Sequence, residues 1–600
     1  MFIATLKQLF DLLSNKERRQ AYLLFVMILI MGLLDMIGIA SVMPFLSVLA
    51  NPDVVETNHY LSAAYDKLGF SDKNSFLYFI GIAVFVTLIV SIVFKAATHY
   101  AIYLFTHMRG YSISRRLVSG YLRQPYEWFL SRNSADLAKT VLSEVEQVIF
   151  SAMIPAMMLI AYAATALALV LLLLVVNPLL SIIMTALLGG AYALTYVFLR
   201  RYLLRIGTER LQANEARFMT VQESFGGIKD VKIGGLETEF LRRFEVPAQR
   251  YAKNLATSKI ASYIPRYVIE VVGFGGMFLL VLSLMGDAGG LADALPLIGL
   301  YGLAGFRLLP ALQAVYLNLS TLRFAKPALD ALHLDIQMIE KVARRSQQAE
   351  VEPLVLRNRL KLEHATFQYP GTERPSLNDL SLEIGVNTTV GIVGGSGAGK
   401  TTAVDIILGL LWPGSGNLRV DDCVIDAQNV RAWQRSIGYV PQQIFLSDAS
   451  VAANIAFGVP EDKIDMVAVE EAARAANLHD YISADLPDGY ATKVGERGVR
   501  LSGGQRQRIG IARALYHDPA LLIFDEATSA LDNLTEKAVM DAVSNLSHQK
   551  TIVIIAHRLS TVRACDNIFL LEQGRLEAQG SYEQLLKDNH RFRAMTEQHG

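Results

Sequence analysis

Residues 394–401 read Gly394-Gly395-Ser396-Gly397-Ala398-Gly399-Lys400-Thr401, and a loop of that composition can hold phosphates. A short β-rich run, Val390–Val393, leads into it, and an apolar helical stretch, Ala403–Leu411, follows. Strand, glycine-rich loop and helix form the context in which backbone N–H groups turn inward around an anion. Lys400 adds a positive charge, and the Thr401 hydroxyl reaches a Mg2+ ion. Further along, Leu521-Leu522-Ile523-Phe524 has the pattern of a buried strand and ends in Asp525-Glu526. Parallel strands deliver carboxylates at their C-terminal ends, beside such a loop. Asp525 is expected to hold Mg2+ through water, and Glu526 to orient and deprotonate an attacking water. The chemistry implied is hydrolysis of a nucleoside triphosphate.

Between these two segments lies Leu501-Ser502-Gly503-Gly504-Gln505. With that motif in place, the C-terminal half resembles the ABC transporter superfamily, whose signature this is. The resemblance implies that Ser502, Gly503, Gly504 and Gln505 meet the γ-phosphate of a nucleotide bound to a second subunit. A Ser-Gly-Gly turn opening a helix offers N–H groups that suit such an anion. The other motifs of the superfamily follow in order. Tyr369, in Phe367-Gln368-Tyr369, resembles the aromatic residue that stacks on adenine, and residues 394–401 with Thr402 resemble the phosphate cradle. Gln442 resembles the glutamine that senses Mg2+ and the membrane domain. Gly495-Glu496-Arg497-Gly498 resembles the exporter-type loop beside the signature. Ser529-Ala530-Leu531-Asp532 resembles the family's D-loop, and His557 resembles the switch histidine on the γ-phosphate. Every motif is intact, so the resemblance implies ATP and Mg2+ as ligands and catalytic roles for Glu526, His557 and Gln442. It also implies two chains per functional unit, a homodimer by default and a heterodimer as the alternative.

These motifs sit in the soluble part of a chain of two characters. The whole is 600 residues, 52% hydrophobic and 19% charged, with zero formal net charge and mean hydropathy +0.31. A neutral chain gives no sign of a nucleic-acid partner. Cys423 and Cys565 form no metal or redox motif. Hydrophobicity is concentrated before about residue 320, in runs near 21–49, 76–104, 148–176, 178–199, 264–286 and 291–316. Each is long enough to cross a bilayer. Asn177-Pro178 and Gly286–Gly290 read as tight turns between spans. Residues 105–147 and 200–263 are polar, helix-patterned and rich in Arg and Lys, whereas the 51–74 loop is acidic. That asymmetry places the long loops and both termini in the cytoplasm. The expected fold is therefore a polytopic α-helical membrane domain of six spans (1–321), a charged linker (322–358) and an α/β P-loop ABC ATPase domain (359–600); a bacterial inner membrane is the setting that the family resemblance implies.

Before the first span, Phe2, Ile3, Leu6, Leu9, Phe10 and Leu13 fall on one helical face, which either lies in the membrane interface or packs on protein. Few charges interrupt the spans. Arg266 and Glu270 are one turn apart and can neutralise each other. Asp35 and Arg307 have no local partner and suggest a polar cavity; Lys95 and His99 complete the set. Ser131–Asp136 and Phe225–Lys229 resemble coupling helices.

Spans first and ATPase last resembles ABC exporters. Val42-Met43-Pro44-Phe45, Ile264-Pro265-Arg266 with Glu270, and Phe306-Arg307-Leu308-Leu309-Pro310 resemble PglK-type flippases of lipid-linked oligosaccharides. Tyr60, Leu61, Ala64, Tyr65 and Leu68 give the 51–74 loop an amphipathic face similar to their external helix, or a surface cap over the bundle. The resemblance implies membrane lipids and an amphipathic or lipid-linked substrate as partners, with Arg307 and Arg266 as phosphate contacts. A drug, peptide or other lipid exporter is the alternative.

Overall fold

The structure, a computed structural model, describes residues 2–176, 178–285, 290–343, 352–495, 498, 501–526, 533–556 and 558–598. Two compact units emerge: Met1–Gln124 with Trp128–Gln347, and Pro125–Glu127 with Gln348–Gly600.

The first unit is helical. Helix α1 (Phe2–Asp11) precedes α2 (Asn15–Ala40) and α3 (Val42–Ala50), and the long helices α4 (Lys73–Leu122), α5 (Ser134–Val176), α6 (Pro178–Gly226), α7 (Glu237–Met285) and α8 (Gly290–Ala343) follow. Among the described residues, Asn15–Ala50, α4 and α5 are long and apolar enough to cross a membrane. The predicted spans at 178–199, 264–286 and 291–316 fall on α6, α7 and α8, where part of the side chains lies outside the described residues, as do Asn177 and Gly286–Gly289. Helix α4 has 50 residues, about 75 Å of rise against a hydrocarbon core of about 30 Å. Membrane span and polar extension are thus one rod. Helix α8 likewise continues past residue 321, where the loss of apolar runs suggested a linker. Leu322, Ala325, Leu329, Leu332, Ile336 and Ile339 recur at helical spacing and are buried against α1, α4 and α5. Such a stripe keeps a helix folded outside the membrane by packing.

The apolar face of α1 is used on protein. Leu9, Leu12 and Leu13 share a core with Leu24, Leu117 and Leu329, and Gln8 Nε2 donates to Asp330 Oδ1 at 2.9 Å. Ser14 and Glu17 close a capping box at the start of α2. Glu17 also accepts from Ser112 Oγ at 2.8 Å and pairs with Arg109, tying the corner to α4. The 51–74 loop forms two short helices, Val54–Thr57 and His59–Lys67. Leu61, Ala64 and Tyr65 pack on Val48, Val55 and Phe76, so this part of the amphipathic face caps the bundle, while Tyr60 and Leu68 of the same face stay exposed. Asn133 caps the first turn of α5 through Ala135 N–H at 2.9 Å, and Gly227 separates α6 from the short helix Ile228–Ile233.

Charges in the spans find partners. Asp35 is 3% exposed, with Lys95 Nζ 2.8 Å and Arg307 Nη1 3.5 Å away and Ser91 Oγ donating to it at 2.9 Å. Asp35 and Arg307, which lack neighbours in sequence, thus partner each other across helices. Arg266 pairs with Glu270 at 2.6 Å, one turn along α7. His99 meets the Tyr162 ring edge-on.

The second unit holds two sheets. Strands β1 (Arg359–Phe367), β2 (Leu377–Gly385), β4 (Ser415–Val420) and β5 (Cys423–Val424) form an antiparallel sheet in the order β2-β1-β4-β5. Strands β3 (Thr389–Val393), β6 (Ile437–Val440), β7 (Leu521–Asp525), β8 (Thr551–Ile555), β9 (Asn567–Glu572) and β10 (Arg575–Gly580) form the other, in the order β10-β9-β3-β8-β7-β6. Strands β3, β7 and β8 are buried throughout, as expected of a parallel sheet covered on both faces.

Candidate ATP-binding site

Strand β3 pairs in parallel with β8, and β8 with β7. Their C-terminal ends therefore lie at one edge, which places the loop after β3 near the carboxylates after β7. The loop spans Gly394–Gly399 and opens helix α9 (Lys400–Ile407). Its curvature requires glycine at two points. Gly399 has φ +100°, and a Cβ there would lie 2.7 Å from the Ser376 carbonyl oxygen. Gly394 has φ +155°, with the Leu571 carbonyl oxygen 2.4 Å from a Cβ. Any side chain would push the loop open.

Lys400 is 6% exposed, and its ammonium donates to the carbonyls of Gly394 at 2.8 Å and Gly395 at 3.0 Å. Burial pulls its pKa down, while Glu526 and Asp525 pull it up. A buried ammonium resting on carbonyl oxygens, inside a curl of backbone N–H groups, fits a phosphate ligand. The cleft it faces has a volume of about 330 Å3 and is lined by Tyr369, Ser376, Ser396–Thr402 and Glu526. Tyr369 stands edge-on to Phe367 and its hydroxyl lies 3.2 Å from Thr402 Oγ1, so one face of a polar cleft carries an aromatic ring.

Glu526 follows β7 with φ +47°, a strained setting for a non-glycine residue that persists where the surroundings fix it. Its backbone N–H donates to Ile555 on β8 at 3.1 Å, and Gln442 Nε2 donates to its Oε2 at 2.5 Å. Asp525 is buried and accepts from Tyr439 Oη at 3.1 Å. Strand β6 runs parallel to β7 in a register that sets Tyr439 opposite Ile523, which explains the reach. Thr401, Asp525 and Gln442 supply the hydroxyl, carboxylate and amide oxygens that a hard cation such as Mg2+ favours.

The structure thus gathers Tyr369, Gly394–Thr402, Gln442, Asp525 and Glu526. It does not bring Ser502–Gln505 to them: no residue of that motif lines the cleft among the described residues. The motif forms the start of α10 (Gly503–Leu515), with Ser502 and Gly503 exposed and Gly504 buried. Ser502 Oγ accepts from Gln505 N at 3.2 Å and Gln505 Oε1 from Ser502 N at 2.8 Å, which fixes the first turn as a capping box. Glu496, Arg497, Ser529–Asp532 and His557 lie outside the described residues.

Sequence reading passed over Asp405. It is buried on α9, and burial with the nearby Asp525 carboxylate raises its pKa to about 6. Its position on the apolar helix after Lys400 was the available signal, since an acid on a helix closing over a carboxylate-tipped strand has nowhere polar to go.

Comparison with known proteins identifies both parts of the chain. The ABC transporter family model matches residues 377–529, and that of the ABC transporter transmembrane region matches residues 22–285. A protein of Cupriavidus metallidurans described as an ATP-dependent lipid A-core flippase is 34% identical over 476 residues, 78% of each chain. The ABC transporter B family member 18 of Arabidopsis thaliana is 40% identical over 262 residues, 44% of this chain and 20% of that protein. A solved bacterial Atm1-family ABC exporter with ATP bound superposes with TM-score 0.77 and 23% identity over 98% of this chain and 99% of that one; the likeness concerns fold. The ATPase domain binds ATP, its hydrolysis is coupled to transport, and the chain belongs to the ABC transporter family, with membrane region and ATPase fused in one polypeptide.

Proposed function

We propose that the protein is an ATP-driven flippase that moves a phosphate-bearing glycolipid from the cytoplasmic to the outer leaflet of a bacterial inner membrane, working as a homodimer with both termini in the cytoplasm. One observation carries the substrate reading. Lys95 and Arg307 converge on the single carboxylate of Asp35 within the spans, which among the described residues leaves one uncompensated positive charge where charge is costly. Such a site suits a phosphate group, whose oxygens match a guanidinium fork. Relatives named lipid A-core flippases support a lipid cargo. A lipid-linked oligosaccharide is the finer reading within this class, since a sugar head joined to lipid through phosphate presents the same anion. The domain limits proposed are a membrane domain over 1–321, a connecting segment over 322–358 and an ATPase domain from 359.

In the ATPase cycle Lys400 and the loop N–H groups bind the phosphates, and the Tyr369 ring holds adenine. Thr401, Asp525 and Gln442 would hold Mg2+, which when bound neutralises charge developing on the phosphates. Glu526, held by Gln442, accepts the proton of the attacking water, with His557 placed on the γ-phosphate. Ser502–Gln505 complete the site of the partner subunit, and Asp532 is assigned a nucleotide-binding role with them. Closing two chains on two nucleotides drives the membrane helices, through the segments at 131–136 and 225–229.

The test is ATP-dependent translocation in proteoliposomes, with a lipid-linked oligosaccharide, a lipid A-type glycolipid and a hydrophobic cationic drug as cargoes. The proposal expects either glycolipid to move and Arg307→Ala to abolish movement with ATP turnover retained. Transport of the drug alone would refute it.

A further inference from the structure

Strand β6 and the turn that leaves it supply two donors to the tip of β7. Gln442 Nε2 donates to Glu526 Oε2 at 2.5 Å, and three residues earlier Tyr439 Oη lies 3.1 Å from Asp525 Oδ2. An ionised carboxylate only accepts, so the tyrosine hydroxyl is the donor. Two consecutive acids of the ATP site are thus each held from the neighbouring strand, one by the glutamine and one by a tyrosine that belongs to no motif.

Register explains the contact. Side chains alternate along a strand, so Ile523 and Asp525 share one face of β7 while Leu522 and Phe524 turn to the other core. Tyr439 stands opposite Ile523 and packs on the same core, with Ala403, Val404 and Ile407 of α9. From there its hydroxyl must cross about 4.8 Å between strands and about 6.6 Å along two residues of strand. Phenylalanine has the reach without the donor; serine and threonine have the donor without the reach. Gly438 fixes the starting point, since a Cβ there would stand 2.5 Å from the Ala514 carbonyl oxygen on α10. Asp525 itself is only 8% exposed, and a second acid, Asp405 on α9, is close enough to interact with it and with Tyr439. Like charges repel strongly where water is scarce. A charge-assisted hydrogen bond, about twice as strong as a neutral one, holds the plane of the Asp525 carboxylate against that push.

We propose that Tyr439 is a positioning residue for ATP hydrolysis, its hydroxyl fixing the Asp525 carboxylate in the orientation that receives Mg2+. This role rests on the assignment of Asp525, with Thr401 and Gln442, to that ion. Tyr439 is not among the described residues that line the cleft, so it acts through Asp525. Partners that orient a metal ligand are worth about tenfold to a hundredfold in metal affinity. Asp525 is assigned to the ion through water, so the lower figure applies.

The experiment compares wild type, Tyr439→Phe, Tyr439→Leu and Asp525→Asn as full chains in detergent. Mn2+ binding to chains loaded with a non-hydrolysable ATP analogue, followed by electron paramagnetic resonance, reads the metal site without turnover. Tyr439→Phe should weaken Mn2+ about tenfold and raise by the same factor the Mg2+ concentration that half-saturates ATP turnover. Its ATP affinity in metal-free buffer should match wild type, which shows the domain folded, and kcat should largely return at saturating Mg2+. A merely structural role would instead lower metal-free ATP affinity and saturated kcat together. Wild-type Mn2+ affinity in Tyr439→Phe, with a loss in Tyr439→Leu alone, would overturn the proposal and leave the ring as packing. Asp525→Asn should weaken Mn2+ at least as much as Tyr439→Phe. Unchanged Mn2+ affinity in Asp525→Asn would refute the metal assignment itself, and the role of Tyr439 with it.

Discussion

Removing one side chain from the buried cluster between α5 and α6 tests how the extensions are held rigid. Arg210 is 2% exposed and grips Glu144 with two N–H groups, at 2.9 and 3.4 Å. Glu144 also accepts from Asn214 Nδ2 at 2.7 Å, and it ends the first of two π-helical turns in α5, 140–144 and 149–153. Replacing Arg210 with Ala strands a buried carboxylate, a change that costs about 3–5 kcal/mol. Asn214 remains as a donor, so the lower figure of about 3 kcal/mol applies. If this is spent on local opening, amide exchange over 140–153 and 206–214 should accelerate by about 100-fold. Glu144→Leu/Arg210→Met, which removes both charges at similar volume, should return exchange to within about tenfold of wild type. Hydrogen–deuterium exchange of the full chain in detergent measures both. Unchanged exchange in Arg210→Ala, or a double variant as open as the single one, would refute the reasoning.

Three further outcomes follow from the same geometry. Glu526→Gln should keep ATP binding and lower turnover by about 10²–10⁴-fold, the usual cost of losing a general base, measured by filter binding beside phosphate release. Asp405 binds its proton more tightly folded than unfolded, so its contribution turns unfavourable as pH rises from about 4 through about 6. Asp405→Asn should therefore stabilise the ATPase domain by about 2 kcal/mol at pH 8 in Mg2+-free buffer once solvent screening is allowed for, seen as a higher unfolding temperature, and leave it nearly unchanged near pH 4. Gly207→Ala would put a Cβ 2.2 Å from the Phe324 carbonyl oxygen on α8; backbone cannot yield cheaply, so a loss of about 1–3 kcal/mol is expected by thermal unfolding.

The ATPase half was legible because its chemistry is written in consecutive residues. A loop that must curl needs Gly394 and Gly399, and a parallel sheet must deliver Asp525 and Glu526 at one edge. The membrane half was legible in its apolar runs but not in its contacts. Asp35 meets Lys95, 60 residues away, and Arg307 on the last long helix; no periodicity reports a pairing between helices that distant. The unbroken course of α4 and α8 was hidden for a related reason. Polar helix outside the membrane looks like loop until its buried stripe, Leu322 to Ile339 in α8, is seen against its neighbours. Asp405 stayed invisible because a lone acid in an apolar helix carries no motif.

Mixing two inactive chains tests the shared site most directly. Lys400→Ala disables the phosphate loop and Ser502→Arg the signature, so each homodimer should hydrolyse no ATP. If each site joins the loop of one chain to the signature of the other, every mixed dimer holds one intact site. Random pairing of equal amounts should then restore about a quarter of wild-type sites. A co-expressed mixture as inactive as its components, or a wild-type monomer turning over at the full rate, would contradict the account.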